Sequence, residues 1–128
     1  FLIWVNKNIG SNAEIVFSNA QHNTGSHYST STGRFTAPVA GAYLFSGSIY
    51  GTRGGTMRWT IRKNQSQYAS GGGSTDCVPH GYNNLVETTT NTVVLNLAAN
   101  DYVSCMPRSG HTINVYGGHS WFCGVLVG

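Results

Sequence analysis

Short runs rich in β-branched and aromatic residues recur along the chain, each closed off by glycine, asparagine, serine or proline, and no window keeps a helical apolar period. That pattern belongs to an all-β sandwich or barrel. Strands are expected at Leu2–Asn6, Ala13–Phe17, Arg34–Thr36, Gly41–Ile49, Met57–Arg62, Leu85–Thr90, Thr92–Leu97, Asp101–Met106, Thr112–Tyr116 and Trp121–Val127. Alternation is cleanest in Met57–Arg62, where Met57, Trp59 and Ile61 share one face and Arg58, Thr60 and Arg62 the other, because strand side chains have a period of two. In Gly41–Ile49, Tyr43, Phe45 and Gly47 lie on one side and Ala42, Leu44 and Ser46 on the opposite side, so both faces are rather apolar. The last strand is two-sided as well, with Phe122 and Leu126 against Trp121, Cys123, Val125 and Val127. A strand apolar on both faces in so small an antiparallel protein calls for cover beyond its own core. Association of subunits is the simplest source of that cover.

Breakers fall where turns are needed: Ser31-Thr32-Gly33, Ala37-Pro38-Val39-Ala40-Gly41, Gly54-Gly55, Lys63-Asn64 and Asn100-Asp101. Ser70–His80, with its run Gly71-Gly72-Gly73, reads as the longest irregular loop. There is no internal repeat and no linker, so residues 1–128 are expected to form one domain.

Composition removes several classes of function. Charged residues are only 9 % of the chain and the net charge is +3. The few basic residues are scattered, which disfavours nucleic acid as a partner. No apolar run approaches the ~18 residues of a membrane span, so membrane insertion is not expected. The carboxylates are four, Glu14, Asp76, Glu87 and Asp101, too few for most chemistry that needs converging acids. Gly, Ser, Thr and Asn together supply 55 of 128 residues, yet 40 % hydrophobic content leaves enough to bury a core. Starting at Phe1 without an initiator Met, the chain reads as a mature or excised module. Cys77, Cys105 and Cys123 are an odd, widely spaced set. They read first as small buried hydrophobes, with one disulfide, or a metal or catalytic role, as the alternatives.

Beyond this pattern, four ordered blocks resemble the globular C1q domain of the C1q/tumour-necrosis-factor superfamily, across nearly the whole chain. The most specific lies within 15–49, at Val16, Phe17, Asn23, Gly25, Tyr28, Thr32, Gly33, Phe35, Pro38, Gly41, Tyr43 and Phe45. The others are Arg62-Lys63-Asn64, then Val94-Leu95-Asn96-Leu97 with Asn100-Asp101-Tyr102-Val103, and finally His119–Leu126. Asn100 departs from the family's usual Gly, and Ala37 from the Cys of many animal members; no collagen-like Gly-X-Y run occurs in the chain. The resemblance implies an all-β, ten-stranded antiparallel jelly-roll sandwich assembled as a homotrimer. It further implies that Tyr43, Phe45, Leu95, Leu97, Phe122 and Leu126 fill the space between two sheets, while Leu44, Val94, Cys123 and Val125 face neighbouring subunits. Some members bind calcium near the trimer apex, but Asp76 is the only acid of the long loop, so no metal or other cofactor is expected here.

No nucleophile elbow, metalloprotease, Walker or dinucleotide motif occurs, and the chain is expected not to be an enzyme. Arg58 and Arg62 share the polar face of one strand, with Lys63 and Arg53 near in sequence. They are candidates for drawing an anionic glycan or acidic surface, the plainer reading being a solvated outer face. His80 and Tyr82 are candidates for stacking on a sugar, Tyr68 a weaker one. The leading expectation is a trimeric attachment module that binds a cell-surface or soluble ligand, glycan or protein, outside the cell or at a phage or viral fibre tip. The second is a structural trimer that decorates or cements a virion or other extracellular assembly.

Overall fold

In the computed structural model, the described residues are 1–4, 7–9, 13–53, 57–65, 67–68, 74–77, 85–107, 113–115 and 120–128. They contain twelve strand segments: β1 (Leu2–Trp4), β2 (Lys7–Ile9), β3 (Asn19–His22), β4 (Phe35–Thr36), β5 (Gly41–Arg53), β6 (Met57–Lys63), β7 (Gln67–Tyr68), β8 (Ser74–Cys77), β9 (Leu85–Leu97), β10 (Tyr102–Pro107), β11 (Ile113–Val115) and β12 (Trp121–Leu126). They build two antiparallel sheets.

The first sheet has seven segments. β9 pairs with one edge of β5 along its whole length. The other edge of β5 takes β12 and then β11 end to end. β1 and β2 continue beside those two, and β3 closes the sheet against β1. In the second sheet β10 lies between β4 and β6, and β7 and β8 share the far edge of β6.

Between the sheets the alternation read from sequence holds. Tyr43, Phe45, Ile49, Val93, Leu95, Leu97 and Phe122 point inward from the first sheet, and Phe35, Trp59, Ile61, Val103 and Cys105 from the second; all are buried. Aromatic rings dominate this layer, with the Phe45 and Phe122 centroids 5.9 Å apart and Phe35 and Tyr43 5.5 Å apart. Such offset and tilted pairs add about 0.5–1.5 kcal/mol beyond area burial. Phe1, half-buried, stacks on Tyr28 and Phe35 at 5.0 and 5.2 Å. Gly47 is glycine for a packing reason: a Cβ there would meet the Trp59 ring at 3.0 Å.

Several expectations are corrected. Ser74–Cys77, placed in an irregular loop, is a strand held by Met57–Thr60, since a polar segment becomes a strand once a partner edge satisfies its backbone. Leu85–Leu97 is one continuous strand, because Thr90, Asn91 and Thr92 all stay in register with β5. Ala13–Phe17 forms no ladder. Ile15 and Phe17 are buried there, but a single bond from Ile15 N to Cys105 O (2.7 Å) ties the segment to β10. Leu126 does not fill the interior: it pairs with Tyr43 but is 45 % exposed, since β12 runs past the end of the core. The polar face of β6 is not uniformly solvated either, for Thr60 is fully buried. β2, β3 and β7 had no sequence signal.

Candidate binding surfaces

Three surfaces outside the core carry chemistry. The first is the outward face of the first sheet. Register sets Val94, Leu44 and Val125 side by side on β9, β5 and β12. Val94 is 57 % and Val125 55 % exposed, while Leu44 is half-buried. The next row is Thr92, Ser46 and Cys123, where the Ser46 and Thr92 hydroxyls bond at 2.8 Å. Cys123 is therefore on the outward face, half-buried and free, whereas Cys105 is free in the core. The Cys77 side chain lies outside the described residues. Burial pushes both described thiols up from their ordinary value, which lowers the thiolate fraction on which nucleophilic attack depends. Val39, Leu126 and Val127 are the remaining exposed large hydrophobics among the described residues. Val127 N bonds Ala42 O, so it adjoins the same row.

The second surface is the outward side of β6 in the second sheet. Arg58 stands opposite Asp76 and Arg62 opposite Tyr68 in the ladders to β8 and β7, so the fold brings the weaker aromatic candidate next to Arg62. The side chains of Arg58 and Tyr68 lie outside the described residues, as do His80 and Tyr82 entirely. Arg62 lies along the sheet rather than standing off it. Its Nε donates to Thr60 Oγ1 (2.9 Å), and one terminal nitrogen reaches the Gln65 carbonyl (3.4 Å) and approaches the Met106 sulfur (3.7 Å). Sequence reasoning missed Arg34 on this side. It donates to both Glu14 oxygens through Nε (3.0 and 2.8 Å) and lies 4.3 Å above the Tyr102 ring. Its only sequence signal is its place just before Phe35, which alternation turns outward.

The third is a cleft of 160 Å³ between Phe1, Phe35, Tyr43, Val125 and Leu126, rimmed by Asn23, Thr24 and His27. The Asn23 amide is already spent on the backbone of Tyr28 (2.8 and 3.2 Å), and Thr24 bonds His22 (3.0 Å). Among the described residues no three His, Cys, Asp or Glu converge on a point where a metal could sit.

The pattern of the C1q domain family matches residues 1–127. The chain belongs to the C1q domain family. No curated protein has a matching sequence. Among solved structures, the chain is similar to the globular domain of zebrafish complement 1qA protein, with 18 % identity, a TM-score of 0.78, and coverage of 100 % of this chain and 96 % of that one. It is also similar to the tumour-necrosis-factor protein Eiger of S. frugiperda, with 14 % identity, a TM-score of 0.70, and coverage of 100 % and 92 %. These structures share the two-sheet sandwich described above. C1q and tumour-necrosis-factor globular domains are non-enzymatic binding modules that are typically extracellular and typically trimeric.

Proposed function

We propose that this C1q domain is a recognition module. Three copies assemble through the outward face of their first sheets and bind a cell-surface or soluble ligand, glycan or protein, by surfaces away from the shared axis. One observation carries the assembly: the row Val94–Leu44–Val125 leaves two valines more than half exposed on an otherwise well-packed sheet. Burying one such aliphatic side chain contributes about 1.5–3 kcal/mol, and symmetry repeats the gain in every copy. The chain supports a ten-stranded jelly roll if Tyr28, bridged to Phe35, is counted as the outer strand beside β4. End-to-end segments then count as single strands. The whole chain acts as one domain in this reading.

Ligand contact is assigned to Arg58 and Arg62 on β6 and to His80 and Tyr82. Three equivalent sites turn weak single contacts into avidity. An array of acidic and neutral glycans and candidate surface proteins, probed with the assembled protein, tests the reading. Selective binding that Arg58→Ala or Tyr82→Ala abolishes, with the circular-dichroism spectrum unchanged, is the expected result. Silence on the array together with copurification in a large particle overturns it in favour of a structural decoration role.

A further inference from the structure

We draw no further inference here: the strongest candidate, the apolar cleft where Phe35 and Tyr43 meet the exposed end of β12, has a rim whose Asn23 amide is already bonded to Tyr28, and nothing in the structure shows what covers it.

Discussion

At Gly33 the backbone adopts φ +80°, and a Cβ would come within 2.6 Å of the Ile15 carbonyl oxygen. The residue closes the turn after Tyr28, with its own N–H on Ser29 O at 2.9 Å. Gly33→Ala is therefore expected to cost about 2 kcal/mol or more, from the left-handed backbone and the clash together, read as a fall in the denaturation midpoint with circular dichroism. Other matched positions have comparably local reasons. The Asn23 amide pairs with both backbone groups of Tyr28. The Tyr28 hydroxyl accepts from Phe17 N at 3.1 Å, and burial pushes its pKa well above the ordinary value. These residues were legible in sequence because each has a rare job that few side chains can do. Arg34 was not. An arginine beside a turn gives no sign of which strand it will lie against.

At the scale of elements, two turns lock each other. Asn64, in a left-handed conformation after β6 (φ 49°), donates through Nδ2 to Asp101 Oδ1 (3.0 Å) and accepts the Tyr102 N–H (2.9 Å). Asp101 also accepts the Ala98 N–H at 2.8 Å, and Lys63 Nζ stands 3.4 Å away. The Asn64 bond, then the Ala98 N–H and Lys63, hold the Asp101 carboxyl below its ordinary value of 3.8. A depressed folded-state pKa contributes stability that is present above the unfolded value and lost as pH falls through the folded one. Thermal midpoints measured downward from pH 5 should thus decline below about 4, and Asp101→Asn should flatten that decline. The sequence marked both turns, through Lys63-Asn64 and Asn100-Asp101, but not their mutual grip. The same limit explains β8 and β3. Their residues lack an apolar period, so only the edges of β6 and β1 make strands of them. By contrast β6 declared itself by alternation, with Trp59 and Ile61 on its inward face, and β5 and β12 by runs of apolar and aromatic residues whose inward members Tyr43, Phe45 and Phe122 fill the core.

At the scale of the molecule, what the sequence hinted at was a strand with two apolar faces, and the fold turns that hint into a position. The inner face of β5 is consumed by the core, so Leu44 has nothing left to do within the subunit beyond lying between Val94 and Val125. Leu44 is half-buried and outward-facing, which makes it a clean probe: a carboxylate there reaches solvent in a lone subunit without entering the core. In the proposed trimer, the same substitution would bring a charge from each copy into a desolvated contact with no partner, a cost of several kcal/mol per copy. The parent protein is accordingly expected to sediment as a trimer at micromolar concentration. Leu44→Asp is expected to sediment as a folded monomer with an unchanged far-ultraviolet spectrum, and Arg58→Ala, on the other sheet, to remain trimeric. A parent protein that stays monomeric at every concentration would instead assign the exposed valines to some contact other than self-assembly. Trimers of both parent and Leu44→Asp would move the subunit interface off this row.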